Sequence, residues 1–354
     1  MKRVRALLAP AILFAILAVG AQPRESQSSP PATPPTAAPS SSEPQGAAPQ
    51  SQPPAQQAPS ISVTTRLVHL VVTVTDRDHN FITDLTRSDF TVLENGVPQE
   101  IRFFGAETNL PLRIGLLLDT SNSIRPRLKF EQDAATDFLD RVIRQDQDMA
   151  FVMTFDNEPE IVQDYTADLS LLTAAVRNQR AGGGTALHDA IFLAAAKLSD
   201  PPLPKGPDPQ VRRVIVVISD GDDNLSDHAL SDSIEAAIRS ESAIYAVSTS
   251  TEWLAIDDEN APKKYHLTEG DKVLQQFSLQ TGGRVFYPYK VDDLAQSFMD
   301  IGDELRRQYF IAYAPAIPPL KSEYRTIEVR TDRKGLIVRT RKGYYATPAP
   351  SIPK

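Results

Sequence analysis

The stretch formed by residues 114–123, IGLLLDTSNS, decides the fold of the central part of this chain. Its first half, residues 114–118, is an almost purely apolar run that ends abruptly in Asp119. An apolar run of this length predicts a strand that is buried on both faces, as in a parallel sheet. The residues just beyond its carboxyl end then occupy the edge where open α/β sheets bind their ligands.

Three oxygen-bearing side chains follow this predicted strand. Asp119, Ser121 and Ser123 place one carboxylate and two hydroxyls at alternate positions of a single turn. Hard divalent cations such as Mg²⁺ take ligands of this kind. Each of these residue types is also a favoured helix N-cap, so the turn alone leaves both interpretations open.

Strand and helix patterns alternate on both sides of this stretch, over residues 111–250. We predict helices at residues 127–144, 169–177, 187–198 and 228–240, and strands at 148–155, 160–162, 213–219 and 243–248. Residues 271–280 and 291–307 predict two more helices, and residues 284–287 a further short element after the Gly282-Gly283 break. This order indicates an α/β fold with a doubly wound, mostly parallel sheet and helices on both faces.

Both ends of the globular part are rich in strand-forming residues. On the amino-terminal side we predict strands at residues 67–75, 90–94 and 99–104, with the hairpin signal Asn95-Gly96 between the last two. On the carboxyl-terminal side we predict strands at residues 309–313, 324–330 and 336–340, and Tyr344 and Tyr345 as strand residues. The simplest assembly is a small β-sandwich built from both ends, in which the α/β domain is inserted or which flanks it.

The amino terminus has the pattern of a secretory signal peptide. Lys2, Arg3 and Arg5 precede an apolar stretch at residues 6–21, with small residues for cleavage after Ala21. An uncleaved anchor is the rival interpretation, although the stretch is short for a full span. We predict export to the periplasm, the cell surface or the medium, and no membrane span beyond the signal sequence.

Composition separates a Pro-rich linker from the globular part. Residues 22–60 contain no Val, Ile, Leu, Phe, Tyr or Trp, so this segment predicts a disordered tether. The predicted organisation is a signal peptide at 1–21, the linker at 22–60, a β unit at 61–109, the α/β domain at 110–308, further strands of the β unit at 309–347 and a tail at 348–354.

Charge and cysteine content exclude several kinds of site. The net charge of −8 disfavours a nucleic-acid partner, which usually needs a basic face. The absence of cysteine excludes disulfides, thiolate metal ligands, cysteine nucleophiles and lipid attachment at cysteine. An exported protein of this length without disulfides must rely on its apolar core, which is feasible at this size.

Two further segments offer oxygen ligands at predicted strand ends or glycine breaks. The first is the segment 182–185, which is three glycines followed by Thr185, and the second is the segment 219–224, which contains Asp220 followed by Gly221. Both can meet Asp119 at the carboxyl edge of one sheet. Mg²⁺ keeps waters and an open position in a site with few charges, and that position suits a carboxylate supplied by a partner.

The combined pattern resembles the metal-ion-dependent adhesion site of the von Willebrand factor A (VWA) domain. That site has the pattern D-x-S-x-S, then a Thr, then an Asp, and its counterparts here stand in the family's order: Asp119, Ser121, Ser123, Thr185 and Asp220. The resemblance covers residues 110–308. It implies that Ser121, Ser123 and Thr185 ligate the metal directly, and that the two aspartates act through water.

The flanks are similar to a group of bacterial exported VWA proteins. The similarity lies in the stretch from Leu85 to Gly96, which reads L-T-x-x-D-F-x-V-x-x-N-G, and in the closing R-x-G-Y-Y from Arg341 to Tyr345. The flanks imply an exported VWA protein. The site pattern implies Mg²⁺ as the bound metal, or Mn²⁺ or Ca²⁺ in its place.

Three other features carry weaker hypotheses. The acidic residues Asp222, Asp223 and Asp227 fail the EF-hand pattern, so they indicate a solvated rim. The His188-Asp189 pair invites a hydrolase interpretation, but no G-x-S-x-G elbow is present, and His188 fits a surface position at a helix start. Trp253, the single tryptophan, is either a packing anchor or a partner contact.

Together these observations predict a non-enzymatic, adhesion-type module that captures an Asp or Glu carboxylate of a protein partner through Mg²⁺. Two alternatives stay open from the sequence. One is a hydrolase or enzyme subunit that uses the metal as a Lewis acid. The other is a structural cell-envelope protein in which the metal only stabilises loops.

Overall fold

A computed structural model describes residues 67–106, 110–205, 210–250, 267–288 and 291–348 of the chain. The predicted signal peptide, the predicted linker and Trp253 lie outside these residues. No helix in the described ranges combines the length and the apolar character that a bilayer-crossing segment needs.

The described residues form fourteen strands and six α-helices. The strands are Val68–Thr75 (β1), Phe90–Glu94 (β2), Val97–Gln99 (β3), Ile101–Gly105 (β4), Leu112–Asp119 (β5), Met149–Phe155 (β6), Pro159–Thr166 (β7), Arg212–Ser219 (β8), Ala243–Ser248 (β9), Val285–Phe286 (β10), Tyr309–Tyr313 (β11), Glu323–Thr331 (β12), Ile337–Arg339 (β13) and Gly343–Ala346 (β14). The helices are Leu128–Val142 (α1), Leu169–Arg177 (α2), Leu187–Ser199 (α3), Leu230–Arg239 (α4), Glu269–Thr281 (α5) and Val291–Arg306 (α6).

A six-stranded sheet with the order β10-β9-β8-β5-β6-β7 forms the centre of the molecule. Its strands pair in parallel except β7, which runs antiparallel to β6. Leu118 of β5 lies beside Thr154 of β6 and Ile218 of β8. The carboxyl ends of these three strands therefore meet at one edge, and the predicted doubly wound sheet is confirmed.

The apolar run of β5 divides its side chains between two cores. Ile114, Leu116 and Leu118 pack on one face together with residues of α1, α2 and α6. Leu117 packs on the other face with residues of α3, α4 and α5. Every residue of β5 is buried, as the unbroken apolar sequence predicts for a central parallel strand.

Two antiparallel sheets join the two ends of the globular part, with the orders β13-β1-β11-β4 and β14-β12-β2-β3. Each contains strands that precede the central sheet in the chain and strands that follow it. Leu70 and Ile311 of the first sheet share a buried cluster with Val92 and Ile327 of the second. The predicted β-sandwich built from both ends is therefore present, whereas the domain boundaries 61–109, 110–308 and 309–347 stay predictions.

The returning strand of the amino-terminal hairpin differs from the prediction. Asn95 and Gly96 have positive φ values of 48° and 79°, as the predicted Asn-Gly turn requires. However, the single strand expected at residues 99–104 is wrong. Val97–Gln99 returns along β2, and the chain then crosses into the other sheet, where Ile101–Gly105 pairs with β11. Such corners allow one stretch of chain to serve both layers of a sandwich.

Candidate metal centre

The first loop of the candidate centre begins where β5 ends. Asp119 is fully buried, and its Oδ1 accepts a hydrogen bond from the backbone N–H of Ser121 at 2.9 Å. The hydroxyls of Ser121 and Ser123 lie 2.9 Å apart. Two oxygens on adjacent corners of a Mg²⁺ octahedron are about 3 Å apart, given bonds of about 2.1 Å. The spacing of these hydroxyls therefore fits two neighbouring ligands of one hard cation.

The glycine-rich loop before α3 is bonded to this first loop through the backbone. The N–H of Gly182 donates to the carbonyl of Thr120 at 2.7 Å, and the N–H of Asn122 donates to the carbonyl of Gly183 at 3.3 Å. Gly183 has a φ of 79°, which glycine adopts readily. These two hydrogen bonds bring the segment that ends in Thr185 to the serines.

The loop after β8 is bonded to both of the other loops. The hydroxyl of Ser219 donates to Oδ2 of Asp119 at 2.7 Å. The side-chain oxygen of Asn224 accepts from the N–H of Thr185 at 3.0 Å, and the N–H of Asn224 donates back to the Thr185 carbonyl at 3.0 Å. Each of the three loops is therefore hydrogen-bonded directly to the other two.

Thr185 and Asp220 keep ligand atoms available at this meeting point. The hydroxyl of Thr185 forms no hydrogen bond with residues in the described part of the chain, although both of its backbone polar groups are bonded. Asp220 is buried at the end of β8, where its Oδ1 accepts from the N–H of Asp222 at 3.2 Å. The loops thus hold these side chains in place, and the hydroxyl oxygen of Thr185 remains available to bind a metal ion.

Burial controls the electrostatics of Asp119. It raises the pKa of this carboxyl to about 6, although the hydrogen bonds from Ser219 and Ser121 lower the pKa. The negative charge of Asp220 nearby adds to the increase. A nearby cation strongly stabilises the charged form of a buried carboxylate that lies next to a second carboxylate. Ser219, which orients Asp119, is a site residue that the sequence analysis did not single out.

A buried Glu–Arg pair at the start of α1 was not predicted from the sequence. Glu131 is almost completely buried, and its Oε1 lies 4.0 Å from Nε of the buried Arg127. Burial raises the pKa of Glu131 to about 8, Arg127 lowers it, and the charges of Asp119 and Asp220 raise it further. The two aspartates therefore share a common electrostatic environment with a third carboxyl group.

The raised pKa of Glu131 predicts that the free energy of unfolding depends on pH. Between its ordinary pKa of 4.5 and its folded value of about 8, Glu131 binds more protons in the folded state than in the unfolded state. In EDTA, its contribution therefore lowers the free energy of unfolding as the pH rises through this window, by up to about 1.4 kcal/mol per pH unit. Urea denaturation of the wild type and of Glu131→Gln at pH 5 to 8 measures this contribution. The variant should show a flatter decline, and an identical decline in both proteins would contradict the assignment.

The amino terminus of α5 supports the third loop by a close backbone approach. Gly221 has a φ of 84°, and a Cβ added to it would lie 2.2 Å from the carbonyl oxygen of Gly270. Asp271, one residue further along, is fully buried and accepts from the hydroxyl of Ser248 at 2.6 Å. The position of Asp220 consequently depends on a glycine–glycine contact between the loop and the helix.

The donor set consists of hard oxygens. The five predicted residues offer two carboxylates and three hydroxyls, which suits Mg²⁺, Mn²⁺ or Ca²⁺ and not a soft metal. Within the ranges that the structure describes, no group of three or more His, Asp or Glu side chains is arranged to hold a metal ion. A metal at this edge of the sheet would therefore depend on the serine and threonine hydroxyls.

The histidines near the site do not complete a catalytic triad. Nδ1 of His188 lies 3.8 Å from Oδ2 of Asp223, and Asp189 instead bonds Nδ1 of His228 at 2.6 Å. Nε2 of His188 is buried without a hydrogen-bond partner in the described part of the chain, and its ring packs against Phe277. His188 is therefore half-buried at the start of α3 and not fully exposed, because its ring packs against Phe277 of α5.

The acidic residues of the third loop have different environments. Asp223 is not a solvated residue, because its carboxylate accepts from the N–H of His188 at 2.9 Å and from the hydroxyl of Ser226 at 2.6 Å. It thereby satisfies a backbone donor in the first turn of α3. Asp222 and Asp227 are exposed, as expected for a rim.

Sequence comparison finds one family model that matches part of the chain. A sequence model of the von Willebrand factor type A domain matches residues 114–222, a range that contains all five predicted site residues. These residues are therefore similar to the von Willebrand factor type A domain, in agreement with the resemblance. A comparison with curated proteins found no match.

Three solved structures are among those that have a distant similarity to this chain. The BatB protein from Bacteroides thetaiotaomicron is 17% identical, with 55% of this chain and 98% of that chain covered and a TM-score of 0.41. A von Willebrand factor type A protein from Catenulispora acidiphila is 12% identical, with 82% and 76% covered and a TM-score of 0.43. The vWF domain of the type V pili tip protein Mfa5 from Porphyromonas gingivalis is 14% identical, with 55% and 95% covered and a TM-score of 0.41. All three likenesses are distant, and they carry no information on what this chain binds.

Proposed function

We propose that this chain is an exported, non-enzymatic binding module that captures a carboxylate of a protein partner through a divalent cation, preferably Mg²⁺. The observation that supports the proposal is the meeting of three loops at the carboxyl edge of the central sheet. Each loop contributes oxygen ligands, and each is hydrogen-bonded to the other two. The export part of the proposal rests on the signal-like amino terminus alone.

The proposed roles of the residues follow from their surroundings. Ser121, Ser123 and Thr185 would hold the ion directly, and Asp119 and Asp220 would hold it through water. When bound, the ion supplies an electrophilic position that accepts a carboxylate oxygen from outside. The three direct ligands are neutral hydroxyls, which leave much of the ion's charge uncompensated by directly bound groups. That uncompensated charge is the physical reason for a preference for an Asp or Glu of the partner.

A non-enzymatic role agrees with the surroundings of the serines. The hydroxyl of Ser121 is hydrogen-bonded to that of Ser123, and no histidine within the described ranges donates to or accepts from either one. A serine nucleophile needs a base within hydrogen-bonding reach. The two histidines at this edge are instead paired with Asp223 and Asp189.

Thr185→Ala tests the proposed function with little risk to the fold. The substitution removes a hydroxyl without a hydrogen-bond partner among the described residues and leaves both backbone hydrogen bonds to Asn224 in place. We expect Mg²⁺-dependent binding of the full chain to displayed peptides, with Asp or Glu enriched among those bound. Binding should fall at least about tenfold in Thr185→Ala, because a ligand to the ion is lost.

Thr91→Ala is the matched control. Thr91 is an exposed residue of β2, in a sheet of the sandwich, so this variant should bind peptides like the wild type. Binding that is equal in Mg²⁺ and in EDTA would contradict the proposal. So would enriched peptides in which Asn or Gln can replace the acidic residue without loss.

A further inference from the structure

A cavity of about 230 Å³ lies at the end of the central sheet opposite the candidate metal centre. Arg212 and Arg213 at the start of β8 line one wall, and Val71 of β1 and Phe310 of β11 line another. Ser219, at the other end of β8, lies about 23 Å away at about 3.3 Å per residue. The cavity is therefore spatially independent of the three loops, and it lies at the junction between the central sheet and the sandwich.

The lining of this cavity is strongly basic, although the chain as a whole carries a net charge of −8. Arg213 and Arg341 face a single acidic residue, Glu241. Arg212 also lines the cavity, but its guanidinium donates to the carbonyl of Leu305 at 2.9 Å and to the hydroxyl of Tyr245 at 3.4 Å. Nη2 of Arg341 lies 3.1 Å from Oε1 of Glu241, and Nη1 of Arg213 lies 3.8 Å from its Oε2. One carboxylate thus serves two guanidinium groups, and the lining keeps an excess of positive charge.

Two of these arginines have buried donors without acceptors. The Nε atoms of Arg213 and Arg341 are buried and have no hydrogen-bond partner within the described residues. Arg341 is 8% exposed, so solvent does not compensate for the missing acceptor. A buried charged donor that lacks an acceptor has a high free-energy cost. An anion in the cavity would remove this cost.

One buried hydrogen-bond acceptor indicates which kind of anion would fit the cavity. Oε1 of Gln308, which also lines the cavity, has no partner in the described part of the chain. The amide nitrogen of the same side chain already donates to the hydroxyl of Thr73 at 2.6 Å and to that of Tyr245 at 3.1 Å. The free oxygen therefore needs a donor. A ligand that satisfies the whole lining has several acceptor oxygens and one O–H group.

We propose that this cavity binds a protonated phosphate-type oxyanion, either inorganic hydrogen phosphate or the phosphate group of a small monoester. The arginine donors match the acceptor oxygens of phosphate, for which guanidinium groups are the preferred partners. The O–H group of hydrogen phosphate supplies the donor that Gln308 lacks. Sulfate has the same shape and charge but no proton, so the site should discriminate against it.

Thermal unfolding of the full chain in EDTA tests the proposal. Inorganic phosphate, glycerol 3-phosphate, sulfate and chloride are compared at pH 7 and equal ionic strength. We expect phosphate to raise the Tm by at least about 3 °C more than sulfate at saturation. A shift with inorganic phosphate alone would identify the free anion as the ligand, and an equal or larger shift with glycerol 3-phosphate would identify the monoester.

Two variants separate binding from a general salt effect. Arg213→Gln removes a half-buried arginine and should abolish the difference between phosphate and sulfate. Glu241→Gln removes the competing carboxylate and should lower the phosphate concentration needed for half of the shift, which misfolding cannot mimic. Arg330→Gln, at an exposed arginine of β12, is the control and should behave as the wild type. Equal shifts with phosphate and sulfate, or shifts that survive in Arg213→Gln, would overturn the proposal.

Discussion

Replacing Asp119 by asparagine should lower the affinity for Mg²⁺ about 10- to 100-fold while leaving the metal-free protein as stable as the wild type, or more stable. The loss of affinity follows because a carboxylate that holds a metal through water typically contributes this much to binding. The unchanged or higher stability follows because Asp119 is fully buried, and its burial raises the pKa of the carboxyl to about 6. Without metal, its charge is a cost, which a neutral amide of the same shape does not carry.

Thermal unfolding with increasing Mg²⁺, Mn²⁺ or Ca²⁺ measures both effects in one experiment. A bound metal raises the Tm by mass action, so the wild type should show a shift that Asp119→Asn lacks. Asp227→Asn is the matched control, because Asp227 is an exposed acidic residue of the third loop that is not a predicted ligand. If Asp119→Asn and the wild type showed the same metal-dependent shift, Asp119 would have no role in metal binding. A large drop in the metal-free Tm of the variant would show that the carboxylate is a structural cap.

Replacing Gly221 by alanine should destabilise the protein by more than about 3 kcal/mol. The left-handed backbone conformation of Gly221, with a φ of 84°, costs a residue with a Cβ about 1–2 kcal/mol. The added Cβ would also lie 2.2 Å from the carbonyl oxygen of Gly270, a backbone atom that cannot move without shifting α5. Because Gly221 follows Asp220 directly, any variant that folds should also have lost metal-dependent stabilisation.

Gly335→Ala provides a closely matched comparison for this prediction. Gly335 has a φ of 83°, but a Cβ at this position would meet no atom within 4 Å. The free energy of unfolding of this variant should fall only by the cost of the left-handed backbone conformation, about 1–2 kcal/mol. Urea denaturation of both variants separates the two effects. Equal losses in Gly221→Ala and Gly335→Ala would show that the contact between the third loop and α5 is not tight.

Much of the candidate site could be predicted because it lies where sequence patterns change abruptly. Asp119 and Asp220 each follow an apolar run, and parallel strands bring such ends to one edge whatever the lengths of the helices between them. Thr185 follows three glycines, which mark a loop unambiguously. For these residues, the local sequence pattern and the strand order of the sheet both predict a place at the carboxyl edge of the central sheet.

Glu131 could not be found in this way. It stands four residues after Arg127 on a helix, a spacing that is typical of an exposed ion pair. Only the packing of α1 shows that both side chains are buried next to the two aspartates. The pattern of charges along a helix does not indicate which helix face is buried by the rest of the fold.

The basic cavity depends on contacts between distant parts of the chain. Arg213 and Arg341 are separated by more than a hundred residues. They meet because the sandwich, in which Arg341 lies between β13 and β14, adjoins the end of the central sheet where Arg213 begins β8. The chain's crossing from β3 to β4 was missed for the same reason. Its sequence reads as one extended segment, and the partner of its second half, β11, lies two hundred residues later.

Diffraction from crystals of the full chain grown with Mn²⁺ would show whether the three loops bind a metal, because the anomalous signal of manganese locates the ion independently of the protein atoms. We expect a single strong anomalous peak among the oxygens of Ser121, Ser123 and Thr185, and no such peak in crystals of Thr185→Ala. A well-ordered site without a peak at saturating Mn²⁺, or a peak bound elsewhere, would contradict the claim that these loops form a metal centre.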